Sequence, residues 1–171
     1  GAQALAAEIG GLAQRCDVAR EVDVIRVVGH AEDQLGSIDF FFSNAGIIVK
    51  GDLEVTNDDW RRIWEINVMS HVFAARAVVP GMLARGGGWF VCTASAAGLL
   101  SQIGSAPYSV TKHAAVGFAE NLAITYGDQG LNVAVVCPQA VRTRMTAQGG
   151  GVAAVNGMIE AAQVADCVMQ A

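Results

Sequence analysis

Tyr108 and Lys112 stand four residues apart in the segment SAPYSVTKHA, residues 105–114. In a helix this spacing places a phenol and an ammonium group on the same face, one turn apart. A positive charge beside a phenol lowers the pKa of the phenol and makes it a useful acid or base. An exposed helix can carry the same neighbour pair without any function, so the spacing indicates proton-transfer chemistry without establishing it.

The composition predicts one folded domain that binds neither nucleic acid nor a membrane. The chain has 171 residues, of which 53% are hydrophobic and 16% charged, and its net charge is −5. An acidic chain has no excess of basic groups to neutralise a phosphate backbone. Arg76 and Pro80 interrupt the longest apolar region, VFAARAVVPGML, and the first residues lack the basic start of a signal peptide.

The cysteines and histidines are scattered along the chain: Cys16, Cys92, Cys137 and Cys167, and His30, His71 and His113. A metal site needs clustered ligands, so we expect no metal. Cys16, Cys92 and Cys137 fall in or beside apolar segments that are typical of strands. We interpret them as small buried hydrophobic residues of a protein in the reducing cytoplasm.

Predicted strands alternate with predicted helices. The strands are residues 12–18 (LAQRCDV), 38–42 (IDFFF), 89–95 (WFVCTAS) and 131–138 (LNVAVVCP), and the helices are residues 2–9, 21–36, 57–84, 108–127 and part of 152–171. This order predicts a single α/β domain, a doubly wound parallel sheet with helices on both faces. Ligands bind such sheets beyond the carboxyl ends of the strands, where four segments place polar or small residues: Asp17-Val18, residues 43–46, Ser95 and residues 138–143.

Taken together, these segments resemble the short-chain dehydrogenase/reductase family, in its short single-domain branch. The resemblance rests on Asp17-Val18, SNAG at 43–46, Asn67, Ser95, YSVTK at 108–112 and PQAVRT at 138–143, and it extends from residue 12 to the end. YxxxK alone is a weak motif, but Ser95 thirteen residues before Tyr108 makes the set specific. The resemblance implies a Rossmann-like NAD(P)-binding domain over residues 1–171. It also implies an oxidoreductase that interconverts a secondary alcohol and a ketone or aldehyde.

The resemblance assigns four catalytic residues. Tyr108 would be the acid or base that exchanges a proton with the substrate oxygen, which asks for a pKa lowered by roughly three units, about 4 kcal/mol. Lys112 would contribute to that shift and would also hydrogen-bond the nicotinamide ribose. Ser95 would polarise the substrate oxygen. Asn67 would hold a water that links Lys112 to solvent; a satisfied core asparagine is the other interpretation.

The resemblance also assigns residues to the cofactor. Asp17 would accept a hydrogen bond from the adenine amino group, with a backbone contact from Val18. A helix N-cap is a nearly equal interpretation of Asp17. Asn44, Ala45 and Gly46 would lie beside the adenosine half, with Asn44 tying adjacent strands together.

The segment after the last predicted strand would contact the nicotinamide carboxamide. Pro138, Val141 and Thr143 carry this assignment, together with Tyr108 and Lys112 as residues that bind the cofactor. Two positions depart from the family pattern, since Ser43 stands where an asparagine is commoner and Gln139 stands where the family has glycine.

The glycine-rich turn GxxxGxG of the family has no counterpart in the chain. In the family's strand order, 3-2-1-4-5-6-7, the first two strands and the last strand are therefore expected to be absent. We accordingly expect a portion of a longer protein, in which the strand at residues 12–17 has no neighbour. The choice between NAD and NADP lies in those segments and is not readable from the sequence.

Two other functions stay open: an epimerase or dehydratase that reuses the Tyr–Lys pair, and a non-catalytic cofactor-binding module. For the oxidoreductase, a pocket lined by apolar side chains would favour a small apolar alcohol or carbonyl compound: Leu99, Leu100, Ile103, Met145 and Met158. The helices at 57–84 and 108–127 have more apolar surface than one covered face needs, and relatives pair these helices between subunits. We therefore expect a homodimer or homotetramer.

Overall fold

Three parallel strands form the sheet of the computed structural model, which describes residues 1–147 and 154–170. They are β1 (Phe40–Ser43), β2 (Gly88–Thr93) and β3 (Leu131–Val136), in the order β1-β2-β3. Ser43 lies opposite Cys92, and Cys92 lies opposite Val135. Because all three strands are parallel and helices connect them, the predicted α/β fold class is confirmed, and the carboxyl ends meet at one edge.

The described residues contain six α-helices: α1 (Ala2–Ile9), α2 (Glu21–Leu35), α3 (Asn57–Trp64), α4 (Ser70–Ala84), α5 (Ala106–Tyr126) and α6 (Ala161–Gln170). Glycine ends the first of them, since Gly10 adopts the left-handed conformation that favours this residue at a helix C-terminus. Thr56 begins α3, where its hydroxyl accepts a hydrogen bond from the Asp59 backbone N–H at 3.1 Å. The predicted helix at 152–171 corresponds to α6, and its ends at 152–153 and 171 lie outside the described residues.

A π-helical turn at Glu65–Met69 joins α3 to α4, so the helix predicted over 57–84 is continuous but not regular. By length and composition, Asn57–Ala84 could cross a membrane, with a mean hydropathy of 1.3 in its most apolar window. More than half of that window, 56%, is buried inside the protein. The apolar side chains of this helix therefore have a place in the core.

The main core lies on the face of the sheet that α2, α4 and α5 cover. Phe90 and Cys92 of β2 are fully buried there against Val78 and Met82 of α4. Phe41 stacks on Phe90 with ring centroids 5.8 Å apart, which extends the core to β1. This packing fixes β1, β2 and the two long helices relative to one another.

The prediction of a strand at residues 12–18 was wrong. These residues form no β-ladder; Cys16 packs against the main core and the Arg15 carbonyl accepts a hydrogen bond from Arg26 Nη2 at 3.4 Å. A strand exists only where a neighbouring strand pairs with it, and no described strand lies beside this segment.

Candidate active site

A cavity of about 560 Å³ opens at the carboxyl ends of the three strands. It is lined by nine of the residues assigned from the sequence: Asn44, Ala45, Gly46, Ser95, Tyr108, Lys112, Pro138, Val141 and Thr143. Its volume lies within the range of about 300–1,000 Å³ that is usual for small-molecule sites. The fold therefore gathers segments up to about 100 residues apart in the sequence at the edge where ligands bind parallel sheets.

Tyr108 and Lys112 lie on the first turns of α5, and both side chains are buried. Pro107 helps to begin this helix, because its fixed φ suits the first turn and its missing N–H removes no helical hydrogen bond. The Lys112 ammonium lies 5.7 Å from the centre of the Tyr108 ring and donates a 2.9 Å hydrogen bond to the Thr93 carbonyl. The two side chains therefore share one face of α5, as their spacing predicts.

Ser95 lies just beyond β2, not within a strand as expected, and begins a short 3₁₀ turn at Ala96–Gly98. Its hydroxyl oxygen accepts a hydrogen bond from the Ala97 backbone N–H at 3.1 Å, and the side chain is close enough to Tyr108 to lower the pKa of the phenol. The turn approaches α5 closely, because a Cβ at Gly98 would lie 2.5 Å from the Lys112 carbonyl oxygen. Glycine at this position thus allows Ser95 to meet Tyr108.

The pKa of Tyr108 is raised above its ordinary value of 10.0, mainly because burial disfavours the phenolate. The hydrogen bond from Ser95 acts in the opposite direction and partly offsets the effect of burial. Desolvation of the phenol is the larger of these two effects. The resemblance implies that Lys112 contributes to a lowered pKa of Tyr108, but among the described residues burial keeps this pKa raised.

Burial also lowers the pKa of Lys112, from 10.5 to about 8. The nearby Cys92 and Cys137 thiols act in the opposite direction. A buried ammonium group whose pKa lies near neutral pH is a common sign of a functional site.

Asn67 is fully buried in the π-helical turn and makes three hydrogen bonds. Its Oδ1 accepts from the Ile47 backbone N–H at 2.9 Å, and its Nδ2 donates to the Ile47 carbonyl at 2.9 Å and to Thr111 Oγ1 at 3.2 Å. The side chain thereby fastens the segment after β1 to α5. The π turn was not predicted, although such turns occur often at functional sites.

Asn44 makes the strand-to-strand tie that the resemblance implies. Thr93 Oγ1 donates a 2.8 Å hydrogen bond to Asn44 Oδ1, which joins the ends of β1 and β2. A Cβ at Gly46 would lie 3.4 Å from both Asn67 Oδ1 and Lys112 Nζ. Glycine at 46 therefore keeps the space between these two polar groups open towards the cavity.

Gln139 lines the cavity beside Pro138 and Val141, and no described residue other than glycine has a positive φ. The backbone accepts Gln139 in place of glycine without left-handed strain. The Thr143 backbone and the Thr146 side chain form a reciprocal capping pair, with a 3.0 Å hydrogen bond from Thr143 N to Thr146 Oγ1. This pair fixes the turn that carries Thr143 and Arg144 at the cavity.

Asp17 and Val18 lie outside this cavity. Val18 lines a neighbouring groove together with Asn44 and Ala45, whereas the exposed Asp17 carboxylate accepts a hydrogen bond from the Ala19 backbone N–H at 3.1 Å. The N-cap interpretation of Asp17 was wrong, because Arg20 occupies that position of α2.

The apolar lining predicted for the pocket was mostly wrong. Only Met145 of that set borders the cavity, and Leu99, Leu100 and Ile103 are 61%, 74% and 86% exposed. Residues that the sequence did not indicate form one wall: Ala161, Val164 and Ala165 of α6. The parallel bridge between Val141 and Ile159 brings this helix back over the site, and no sequence motif marks such a pairing.

A family described as short chain dehydrogenase matches residues 1–150. The chain belongs to the short-chain dehydrogenase family. It is 36% identical over 136 residues to meso-2,3-butanediol dehydrogenase of Serratia marcescens, which covers 79% of this chain and 54% of that protein. It is 32% identical over 137 residues to mouse epidermal retinol dehydrogenase 2, a match that covers 78% of this chain and 44% of that protein.

Cyclohexanol dehydrogenase of Acinetobacter is 31% identical over 138 residues, covering 80% of this chain and 55% of that protein. The chain thus spans about half the length of the curated relatives it matches. Ligand-free aldohexose dehydrogenase of Thermoplasma acidophilum has the same fold, with a TM-score of 0.82 at 22% identity over 91% of this chain and 69% of that one.

The residues of this short-chain dehydrogenase fit the dinucleotide that its family implies. The cavity is large enough for part of such a ligand, and Gly46 leaves room beside Lys112. Among the described residues that line the cavity, the charged side chains are Lys112 and Arg144, both cationic. A lining that has positive charge without a carboxylate suits a ligand with phosphate groups.

Ser95→Ala is expected to lower kcat by about 10²-fold, because in the role that the resemblance implies the hydroxyl would stabilise charge on the substrate oxygen. The loss of its hydrogen bond should also raise the pKa of Tyr108 further. Steady-state kinetics with an alcohol substrate would measure this change. Ser101→Ala, which removes an exposed hydroxyl of the same loop, is the matched control; equal losses in the two variants would contradict the role of Ser95.

Proposed function

We propose that the complete protein is an NAD(P)-dependent oxidoreductase that interconverts a secondary alcohol and a ketone or aldehyde. Residues 1–171 would belong to its single cofactor-binding domain, and Tyr108 would be the acid or base. The observation that carries the proposal is that Tyr108 and Ser95 line one cavity together with the Lys112 ammonium, which lies 5.7 Å from the centre of the Tyr108 ring. This arrangement offers a proton and a hydrogen-bond donor to one substrate oxygen.

In the reduction direction, the Tyr108 phenol gives its proton to the carbonyl oxygen as negative charge develops there. The hydrogen bond from the Ala97 N–H holds the Ser95 oxygen in place, and the Ser95 O–H can turn from Tyr108 to the substrate oxygen. That O–H stabilises the same developing charge. A bound nicotinamide would give or take the hydride. In the oxidation direction Tyr108 takes the proton back.

Lys112 holds positive charge beside the phenolate that remains on Tyr108 after the proton has left. Its anchorage to the Thr93 carbonyl fixes the ammonium at the end of β2. Asn67 fastens Ile47 to Thr111 and so holds the segment after β1 against α5. We propose that Asn67 also serves a water-mediated proton path from Lys112, for which the space kept open by Gly46 gives room.

The proposed substrates are small, largely apolar alcohols and carbonyl compounds. The names of the relatives support this class, since they refer to butanediol, retinol and cyclohexanol. Apolar side chains along the cavity also support it, among them Phe42, Met145 and Val164. Asp17, Val18, Asn44 and Ala45 would receive the adenosine half of NAD or NADP, and Pro138, Val141 and Thr143 the nicotinamide half.

The decisive experiment follows nicotinamide absorbance while the complete protein is offered a panel of secondary alcohols and ketones. Net reduction of the cofactor with an alcohol, or net oxidation with a ketone, supports the oxidoreductase. Product without net change in the cofactor would favour an epimerase or dehydratase that uses the same Tyr–Lys pair. Measurable cofactor binding without any product would favour a non-catalytic binding module.

We propose that the protein is a cytoplasmic homodimer or homotetramer. A groove between α4 and α5 supports association, since its walls are mostly apolar: Val72, Ala75, Val79, Leu83, Phe118 and Leu122. The four cysteines are all free, which suits a reducing compartment.

Sedimentation of the complete protein at micromolar concentration is expected to give a dimer or larger species. Val72→Asp, which places a charge at a half-buried position of the groove outside the main core, should shift the protein towards the monomer. A wild-type protein that sediments as a monomer would contradict the proposed assembly.

A further inference from the structure

His71 of α4 is completely buried, yet among the residues that the structure describes only one of its ring nitrogens has a partner. Its Nδ1 lies 2.7 Å from Ser43 Oγ, whereas its Nε2 makes no hydrogen bond within the described residues. Leaving a buried polar atom unpaired is costly, and native proteins rarely do so. The ring is therefore a candidate for a function that the active-site assignments above do not include.

The surroundings of His71 connect it to the active site. Ser43 lies at the end of β1, directly before Asn44 and the cavity, and Cys92 lies opposite Ser43 on β2. Lys112 of α5 reaches the same point of the sheet, because its ammonium donates to the carbonyl of Thr93, the residue after Cys92. Its charge disfavours a second positive charge on the ring. With burial as the larger cause, the pKa of His71 is lowered to about 4, and burial raises that of Cys92 to about 12. Both groups are thus neutral near neutral pH, and Lys112 is the charged group that faces them.

The nearby ammonium selects one of the two neutral forms of the ring. Positive charge is stabilised by a lone pair and disfavoured by an N–H dipole directed towards it. The form with the proton on Nδ1 donates to Ser43 Oγ and leaves a lone pair on Nε2. This tautomer makes the 2.7 Å hydrogen bond with Ser43 and also directs a lone pair, not an N–H, towards the positive charge of Lys112.

We propose that His71 is a positioning residue for Lys112, and that its Nε2 lone pair accepts a hydrogen bond from an internal water that is bound to the ammonium. Lys112 has three N–H donors, and among the described residues it uses one, for the Thr93 carbonyl. A buried water that joins two polar groups is the usual way to satisfy such atoms. The link runs from Ser43 through His71 to Lys112 and keeps the ammonium charged and directed at the end of β2. The expected effect on catalysis rests on the proposed function. The tautomer of the His71 ring does not depend on it.

His71→Leu removes the acceptor while keeping an apolar side chain in the core. The thermal midpoint should stay close to that of the wild type, because an apolar side chain is favoured at this fully buried position, which offsets the loss of the hydrogen bond to Ser43. kcat should fall about ten-fold, the size expected when a charged group loses one hydrogen bond. Without the acceptor the pKa of Lys112 falls further, so the loss of activity at high pH should begin at a lower pH. The amide oxygen of His71→Gln can reach the place of Nε2. This variant should therefore restore most of kcat and most of the activity at high pH.

A spectrum that correlates the ring nitrogens with the ring protons gives a readout independent of activity. At neutral pH we expect His71 with the proton on Nδ1 and none on Nε2. A proton on Nε2, or a His71→Leu variant with the wild-type pH profile, would overturn the proposal. Failure of the proposed function itself looks different, because it would show as an active Tyr108→Phe variant while the tautomer stays as described.

Discussion

Tyr108→Phe is expected to lower kcat for alcohol oxidation by about 10²–10⁴-fold, the usual contribution of a general acid or base. The phenyl ring can occupy the same buried position between Ile63 and Ala97, so the fold should persist. The cofactor should still bind, because Lys112 and the small residues at 44–46 remain in place. Stopped-flow or steady-state absorbance of the nicotinamide gives kcat, and fluorescence titration gives cofactor affinity.

Tyr126→Phe is the matched control, because Tyr126 is the other tyrosine of the chain and lies at the far end of α5. It should keep the wild-type rate. If Tyr108→Phe also kept that rate, the hydroxyl would not be the proton donor, and the proposed function would be wrong.

Lys112→Met is expected to abolish most activity and at the same time to stabilise the fold. Burial lowers the pKa of Lys112 from 10.5 to about 8, and one pKa unit corresponds to about 1.4 kcal/mol. Replacing the ammonium with an apolar group of similar length removes this penalty but leaves the Thr93 carbonyl without its donor. We expect a net gain of about 1–3 kcal/mol in the free energy of unfolding.

The same variant should change how stability depends on pH. Between pH 8 and 10.5 the unfolded chain still binds a proton at Lys112 that the folded protein has released. The free energy of unfolding of the wild type should therefore rise with pH across this window, and that rise should vanish in Lys112→Met. Denaturant titrations at the two ends of the window measure it, with Lys50→Met, at the exposed second lysine, as the control. An equal rise in both variants would exclude Lys112 as its source.

Patterns that depend on local spacing predicted much of this structure. The alternation of apolar strands with helices predicted β1, β2, β3 and the helices between them, because each pattern reports which face of an element is buried. The same reasoning failed at residues 12–18, since strand formation depends on a neighbour that no local pattern can supply. It also missed the π turn at Glu65–Met69, which follows from tertiary packing.

Within the candidate site, residue types and spacing predicted which side chains meet but not their energetics. Tyr108, Ser95 and Lys112 lie together as expected, yet the cost of burial exceeds the opposing effect of Ser95 and raises the pKa of the phenol. Leu99, Leu100 and Ile103 read as pocket residues because they are apolar, but they lie in a loop on the exposed side of the site. His71 shows the same limit, because its unpaired nitrogen can be seen only once β1 and α4 are in contact.

The most direct test of the account is an ultraviolet titration of tyrosinate in the complete protein, taken as the difference between the wild type and Tyr108→Phe with oxidised cofactor bound. Burial alone holds the phenol above its usual pKa, so catalysis requires the positive charges of Lys112 and the nicotinamide to lower it. We predict that Tyr108 ionises between about pH 6 and 8 in this complex, roughly three units below a free phenol. Ionisation that begins only above about pH 10 would contradict the assignment of Tyr108 as the group that exchanges the proton.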